Sequence, residues 1–270
     1  MLPLSPQVFA ILSGLVAEHA GLHFDAGHMA LFGEKVGARA VEAGFESLLD
    51  YYYFLRYDPG GREELDALVE SLVVNETYLF RELAPVEVMI SSLVPAVLAG
   101  GRRPRIWCAA CSTGEEPHTV AMLLAARGLL DEVDIVASDV SANALARARS
   151  GRLARRSLRQ ELPPFATKWL TSTERGMAVH PRLTGAIDWR RINLMDSAAL
   201  ASLGTFDVIL CRNVLIYFGD ATTRKLLERL NQRLVPGGAL FVGVSESLLR
   251  FGGPLICEEL NGVFLYRKPA

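Results

Sequence analysis

The pattern of apolar and polar positions divides the chain into two parts. Up to about residue 74, apolar residues recur every three or four positions, which is the spacing of amphipathic helices. From about residue 101, short apolar runs alternate with helical patterns, as in a parallel α/β sheet. We therefore predict a helical domain over residues 1–74, a connecting segment over 75–100 and an α/β domain over 101–270.

The first part contains four helical patterns. One begins at Ser5-Pro6 and ends at Gly21, because a serine cap followed by proline starts a helix and glycine ends one. The others run from about Gly27 to Ala43, from Phe45 to about Arg56, and from Glu63 to Val74. The three tyrosines at 51–53 are interpreted as packing and rim residues.

A polar stretch, NETYLFRE at residues 75–82, interrupts the helical pattern. It combines an amide, a hydroxyl and a guanidinium within seven residues, although a polar interdomain turn with Phe80 packed inward would have the same composition. A further helix is predicted from Val86 to Leu98, ending at two glycines.

The second part has the pattern of a doubly wound sheet. The predicted strands are Arg105–Ala110, Asp134–Val140, Trp189–Leu194, Phe206–Arg212 and Ala239–Ser245, followed by an antiparallel hairpin of Leu255–Glu259 and Gly262–Arg267. Helices are predicted over Glu116–Arg127, Ser141–Arg149 and about Ala221–Leu234. Residues 150–185 break the alternation and are interpreted as an inserted basic subdomain with short strands. The predicted fold class is therefore α/β, mostly parallel and seven-stranded.

Composition is that of an ordinary globular chain, with 50% hydrophobic residues over 270 positions. No apolar run approaches the roughly 20 residues of a membrane helix, and the N-terminus lacks the basic start of a signal peptide. We expect a cytoplasmic protein without membrane insertion, and a monomer. Cys108 and Cys111 form a CxxC pair, but no second pair completes a metal site, so we expect reduced structural cysteines and no metal.

Charge is distributed unevenly along the chain. Residues 1–74 hold 4 basic and 11 acidic residues, a formal charge of −7, and residues 142–191 hold 11 basic and 3 acidic residues, a charge of +8. The arginines at 147, 149, 152, 155, 156 and 159 could form a docking surface, or only a solvated basic helix end.

The segment Ile106–Pro117 predicts a ligand site, because a strand feeding a helix through a glycine turn is how α/β sheets build nucleotide pockets. A phosphate cradle presents amide groups and cations, whereas Glu115 and Glu116 would repel a pyrophosphate. The acid pair suits a nucleoside ligand that carries positive charge. S-adenosylmethionine, with its sulfonium and amino groups, fits that description.

Other polar residues follow predicted strands. Asp139 ends the second strand, 25 residues after Gly114, where an acid can accept hydrogen bonds from ribose hydroxyls or cap the next helix. Asn193 could bond an adenine edge or be an ordinary loop residue. Arg212 and Asn213 follow the fourth strand, and Tyr217 is either a site residue or a core aromatic.

The order of NETYLFRE, WCAACSTGEEPHTVAM, ASDVSANALARAR, INLMD, FDVILCRNVLIYF and LVPGGALFVGVSES resembles the chemotaxis receptor glutamate methyltransferase family (CheR type) over nearly the whole chain. The resemblance implies a class I methyltransferase sheet, S-adenosylmethionine as cofactor with S-adenosylhomocysteine as product, and the cytoplasmic helical bundle of chemoreceptors as partner, with no nucleic acid. It implies cofactor contacts from Asn75, Thr77, Arg81, Glu115, Asp139, Asn193, Leu194, Arg212 and Asn213. It also implies that Arg81 and Tyr217 line the transfer site.

The chemistry agrees with these residue types. A glutamate acceptor has a pKa of about 4.3 and is already ionised at neutral pH, so no general base is needed. Arg81 could hold the carboxylate as a planar fork, and Tyr217 could donate one hydrogen bond.

The chain departs from the family pattern in a few places. Leu79 replaces an aromatic residue, and Cys108 and His118 replace the commoner serine and tyrosine. The larger departure is the acidic N-terminal domain, since relatives tend to present a basic helical face there. The inserted subdomain, which can dock a receptor tail in relatives, could take over this role. Two alternative functions stay open: methyl transfer to RNA or a small molecule, and a non-catalytic S-adenosylmethionine-binding module.

Overall fold

The computed structural model describes residues 2–159 and 161–270, which form two compact units. One comprises residues up to Val74 together with Tyr217–Thr222, and the other comprises Asn75–Ile216 and Thr223–Ala270. No helix in the described ranges is both long enough and apolar enough to cross a membrane.

The helical unit is built from four α-helices: α1 (Pro6–Ala20), α2 (Met29–Glu42), α3 (Leu48–Tyr57) and α4 (Gly61–Leu72). Ser5 caps α1 by accepting a hydrogen bond from the Val8 N–H, and Gly21 ends the helix with φ of 78°. Helix α3 starts later than predicted because the Ser47 hydroxyl caps it at the Asp50 N–H. Leu12, Val16, Phe32, Val36 and Leu68 are fully buried and form the centre of the unit.

A buried polar cluster ties three of these helices together. Glu64 accepts hydrogen bonds from Arg39 Nε at 2.7 Å and from the Tyr51 hydroxyl at 2.6 Å. Burial opposes ionisation of Glu64, but these two partners outweigh it and lower its pKa. Tyr51 is therefore a core residue, whereas Tyr53 is exposed.

The connecting segment forms one interrupted helix. Helices α5 (Leu83–Val88) and α6 (Val94–Ala99) are joined by a π-helical stretch, Met89–Leu93. A continuous helix was predicted. Pro95 has no N–H to donate to the preceding turn, and the wider π turn lies directly before it.

The α/β unit contains a seven-stranded sheet of order β6-β2-β1-β7-β8-β10-β9. Its strands are β1 (Arg105–Ala109), β2 (Asp134–Asp139), β6 (Ile187–Arg191), β7 (Phe206–Leu210), β8 (Leu234–Phe241), β9 (Ile256–Leu260) and β10 (Val263–Arg267). The first five are parallel, and β10 pairs antiparallel with β8 and β9. The predicted α/β class, with a seven-stranded and mostly parallel sheet, is confirmed.

The α-helices that follow the sheet's first strand are α7 (Glu115–Ala126), α8 (Ala142–Ser150), α9 (Pro181–Gly185), α10 (Ser197–Ser202) and α11 (Asp220–Arg233). The first three residues of α11 are grouped with the helical unit and the rest with the α/β unit. The basic insert forms a separate antiparallel sheet of order β3-β5-β4, made of β3 (Arg152–Ala154), β4 (Leu170–Thr173) and β5 (Gly176–Val179).

Two strand predictions were wrong in their bounds by three residues or more. Strand β6 ends at Arg191, and the apolar residues Ile192 and Leu194 are buried in the turn that follows it. Strand β8 begins at Leu234, before the Pro-Gly-Gly sequence, because a bulge in its pairing with β7 accommodates these residues.

Candidate functional site

The turn between β1 and α7 has an unusual backbone. Ala110, Ser112 and Gly114 all have positive φ, at 56°, 50° and 92°. A Cβ on Gly114 would lie 2.7 Å from the Ala148 Cβ and 3.0 Å from the Trp189 ring. Both the positive φ and this overlap therefore disfavour a side chain at this position. Left-handed non-glycine residues cost on the order of 1 kcal/mol or more and concentrate at functional sites. The turn therefore has the strained backbone that is common at functional sites.

Asp139 links this turn to the end of β2. Its carboxylate accepts hydrogen bonds from the Ser112 N–H at 2.7 Å and the Ser141 N–H at 2.9 Å, and the residue is 7% exposed. Helix α8 is capped by the Ser141 hydroxyl, which accepts from the Ala144 N–H. Asp139 is therefore placed to shape the turn.

The two adjacent glutamates have different partners. Glu115 is buried and accepts hydrogen bonds from the Thr113 hydroxyl at 2.7 Å and the Ser157 hydroxyl at 2.6 Å. Glu116 accepts one from Arg212 Nη1 at 2.8 Å. Burial raises the pKa of Glu116, and the Arg212 charge offsets only part of that effect. Glu115 was preferred over Glu116 as the cofactor contact, and this choice stays a prediction.

Arg212 is the centre of a buried charge cluster directly after β7. Its side chain is 3% exposed and contacts the Glu116 and Glu82 carboxylates at 2.8 and 3.0 Å. It also donates to the backbone carbonyls of Arg81 and Glu82. Its Nε is buried without a hydrogen-bond partner among the described residues. Two carboxylates therefore pair with one guanidinium here.

The NETYLFRE segment lies beside this cluster. The Asn75 amide oxygen accepts a hydrogen bond from the Ser112 hydroxyl at 3.2 Å, and Thr77 is half-buried. Phe80 and Glu82 have left-handed backbones, with φ of 61° and 46°. Phe80 packs inward and is 2% exposed, as expected for a polar interdomain turn. The segment is nonetheless more than a turn, since it is bonded to both ligand-binding candidates, the β1–α7 turn and Arg212.

The guanidinium of Arg81 is less constrained than its backbone. It lies 5.6 Å from the centre of the Tyr78 ring and 3.4 Å from the Glu76 carbonyl oxygen. Arg159, from the basic insert, stacks on the same ring at 4.8 Å and forms an ion pair with Glu76 at 2.8 Å. Among the described residues, the half-buried Arg81 side chain thus has no ion-pair partner and only one long hydrogen bond.

The other predicted residues lie in three places. Asn193 and Leu194 form the turn after β6, where the Asn193 amide oxygen accepts the Met195 N–H at 2.8 Å. Asn213 follows Arg212, has φ of 57°, and donates to Glu82 at 3.3 Å. Tyr217 is grouped by its contacts with the helical unit, where its carbonyl oxygen accepts the His23 N–H at 2.8 Å.

Sequence reasoning did not assign two glutamates that the structure places here. Glu82 ends the NETYLFRE segment and binds both Arg212 and Asn213. Glu246 accepts backbone N–H groups from the loop after β7. Both glutamates lie inside motifs that resemble the family, NETYLFRE and LVPGGALFVGVSES, which is the only sequence feature that points to them. Their hydrogen-bond partners are visible only in the fold.

The cysteines have no arrangement for metal binding. Cys108, Cys111 and Cys211 are buried and free, and burial raises the pKa of each thiol well above its usual value. Within residues 2–159 and 161–270, no group of three or more histidine, cysteine, aspartate or glutamate side chains could hold a metal ion.

The site has the features that S-adenosylmethionine requires. The left-handed turn after β1 is hydrogen-bonded to an acid that ends β2, and two carboxylates pair with Arg212 directly after β7. Together with the sheet order, these features define an S-adenosylmethionine-dependent methyltransferase of class I.

The chain belongs to the CheR methyltransferase family. The family's SAM-binding domain matches residues 75–260, and its all-alpha domain matches residues 7–73. The chain is 31% identical over 258 residues to chemotaxis protein methyltransferase 2 of Vibrio cholerae, covering 93% of this chain and 89% of the relative. It is 33% identical over 250 residues to chemotaxis protein methyltransferase 1 of Pseudomonas aeruginosa, covering 89% and 90%. It is 39% identical over 213 residues to the chemotaxis protein methyltransferase of Vibrio parahaemolyticus, covering 76% and 77%.

Proposed function

We propose that the protein transfers a methyl group to glutamate side chains on the cytoplasmic helical bundle of chemoreceptors, as the adaptation step of a chemotaxis-type pathway. The observation that carries the proposal is the bonding of the NETYLFRE segment to the cofactor turn and to Arg212. The names of the relatives support the receptor as partner. The enzyme acts as a cytoplasmic monomer in this proposal.

Each predicted cofactor residue has a role in this proposal. Asp139 accepts from the ribose hydroxyls, and Asn193 and Leu194 contact the adenine. Glu115, Arg212 and Asn213 contact the donor from the ends of β1 and β7, and Asn75, Thr77 and Arg81 contact it from the NETYLFRE segment. The Arg212 Nε, which is buried without a hydrogen-bond partner among the described residues, supports a ligand contact at this position.

S-adenosylmethionine supplies an activated methyl group when it is bound. The protein's task is to align an already ionised acceptor carboxylate with that methyl, at about 3–3.5 Å between reacting atoms. Arg81 positions the carboxylate through its guanidinium, and Tyr217 donates one hydrogen bond to it. Methyl transfer from a sulfonium to a carboxylate gives an ester and a thioether without moving a proton, so neither residue needs to act as an acid or base.

Substitution of Arg81 tests the positioning role. In Arg81→Ala we expect kcat to fall about 100-fold, because misplacing reacting atoms by about 1 Å has that effect. The dissociation constant for S-adenosylmethionine, measured by calorimetry, should change far less. Arg175→Ala, at an exposed arginine of the insert, is the control. Full kcat with loss of cofactor affinity alone would show that Arg81 only binds the donor.

The acceptor is identified by incubating the protein with methyl-labelled S-adenosylmethionine and membranes that contain candidate receptors. We expect alkali-labile label on a receptor band, since carboxyl methyl esters hydrolyse in base. Label on RNA or on a small molecule would favour another methyltransferase, and cofactor binding without transfer would favour a non-catalytic module.

A further inference from the structure

The Glu246 side chain has an unusual set of partners. One carboxylate oxygen accepts hydrogen bonds from the Asn213 and Gly243 N–H groups, both at 2.7 Å. The other accepts from the Leu215 N–H at 2.8 Å and the Ile216 N–H at 3.3 Å. Glu246 is 8% exposed, so this is a buried carboxylate whose four acceptor positions serve four backbone donors.

These four donors come from two separate loops. Asn213, Leu215 and Ile216 follow β7, and Gly243 follows β8. Helices and strands satisfy their backbone donors internally, but these loop residues rely on one side chain. Glu246 therefore holds the loop after β7 (the β7 loop, residues 213–216) against the loop after β8 (the β8 loop, residues 243–246).

The packing around Gly243 shows how closely the two loops approach. A Cβ at this position would lie 2.5 Å from Asn213 Nδ2, 2.9 Å from the Glu246 carboxylate and 3.0 Å from the Asn213 backbone nitrogen. A side chain here would displace the Asn213 amide and the Glu246 carboxylate, and it would press against the Asn213 backbone, which would have to give by a few tenths of an ångström. Gly243 is therefore the residue that permits the contact between Glu246 and Asn213.

The same loops are held from the other side by Glu82. Its carboxylate accepts from the Val244 N–H at 3.2 Å, from Asn213 Nδ2 at 3.3 Å and from Arg212 at 3.0 Å. Burial opposes ionisation of Glu82, but the hydrogen bond and charge of Arg212 outweigh it and lower its pKa. Two carboxylates thus enclose Asn213, whose left-handed backbone needs such support.

We propose that Glu246 is a positioning residue for methyl transfer, which holds residues 213–216 so that Arg212 and Asn213 present the correct groups to the methyl donor. This inference rests on the cofactor roles given to Arg212 and Asn213 in the proposed function. Glu246 acts through the β7 loop and does not itself contact the donor.

The test uses Glu246→Gln and Glu246→Asp in the full chain. Glutamine has the same shape but only one acceptor oxygen, so two N–H groups would face its amide N–H₂. We expect the dissociation constant for S-adenosylmethionine to rise roughly tenfold or more, as the loss of one or two buried hydrogen bonds implies. Aspartate keeps both oxygens one methylene further away and should recover part of the affinity. Glu259→Gln, at an exposed residue of β9, is the matched control.

Gly243→Ala is a second variant that leaves the carboxylate in place. It should weaken donor binding in the same direction by displacing Asn213, and it keeps the test valid if Glu246→Gln does not fold. Each dissociation constant is measured well below the variant's own Tm, which is determined separately.

A lowered Tm with donor affinity within twofold of wild type in Glu246→Gln, Glu246→Asp and Gly243→Ala would overturn the proposal, because Glu246 would then be only a stabilising residue. Binding of the donor by wild type without receptor methylation would reject the proposed acceptor, yet the affinities would still test Glu246. Failure of wild type to bind the donor would reject both.

Discussion

At the residue scale, His118 shows how burial changes a side chain's chemistry. It is fully buried in α7, with Nε2 3.3 Å from the Thr184 hydroxyl and its ring 5.3 Å from that of Trp189. Its Nδ1 has no hydrogen-bond partner in the described part of the chain. Burial lowers the pKa of His118 from 6.5 to about 4. The sequence places a histidine in α7, beside the predicted site, but the structure makes it a neutral packing residue.

This lowered pKa predicts a pH dependence of stability. The unfolded chain takes up a proton at His118 near pH 6.5, and the folded chain only near pH 4, so stability falls as the pH falls through that window. The loss amounts to ~3 kcal/mol, since each pKa unit corresponds to about 1.4 kcal/mol. In His118→Phe, urea unfolding measured from pH 7 to pH 4 should show a shallower decline. His23→Gln, at an exposed histidine, is the control. Equal slopes in wild type and His118→Phe would contradict the assignment.

At the scale of elements, the β1–α7 turn depends on three left-handed residues in five positions. Its hydrogen bonds run to the end of β2, from the Cys111 N–H to the Ser138 carbonyl and from the Ser112 N–H to Asp139. The turn is therefore shaped by the neighbouring strand as much as by its own residues. Local pattern did predict a strand, a glycine turn and a helix here, because caps and glycines act over a few residues.

Gly114 and Gly128 form a matched pair for testing this turn. Both have positive φ, at 92° and 72°, but a Cβ on Gly128 would meet nothing within 4 Å. We expect Gly128→Ala to cost about 1 kcal/mol from backbone strain alone. Gly114→Ala should cost about 3 kcal/mol or more, because overlap with Ala148 adds to the strain. Urea unfolding measures both. Equal losses would mean that the packing around Gly114 relaxes easily.

At the scale of the whole molecule, the charge is divided between the two parts of the chain. Residues 1–74 carry −7, and residues 142–191 carry +8. The arginines of the insert are exposed, but they are not equivalent. Arg159 pairs with Glu76 and stacks on Tyr78, so it supports the NETYLFRE segment. Arg155 and Arg156 have no carboxylate partner in the described chain and are the better candidates for a receptor contact.

The docking role of the insert is tested by reversing these charges separately. In the double variant Arg155→Glu with Arg156→Glu, we expect the KM for receptor to rise several-fold at low salt while kcat is retained. Higher ionic strength should reduce the difference, because salt screens exposed charges beyond about 10 Å at 0.1 M. Arg159→Glu should also affect kcat, and Lys225→Glu in α11 is the control. Unchanged receptor kinetics at low salt in the double variant would remove the docking role.

Sequence alone determined the order and type of the main helices and strands, the fold class and the family, since these follow from hydrophobic period, local turn chemistry and long motifs. It did not predict α9, α10 or the π-helical stretch between α5 and α6. It also identified most of the polar residues at the strand ends. Only the tertiary structure decided their partners: Glu116 with Arg212, Glu115 with Ser157, and Glu246 with the β7 loop. The reason is distance along the chain. Arg212 bonds to the Arg81 carbonyl from 131 residues away, and no local pattern of apolar and polar positions carries that information.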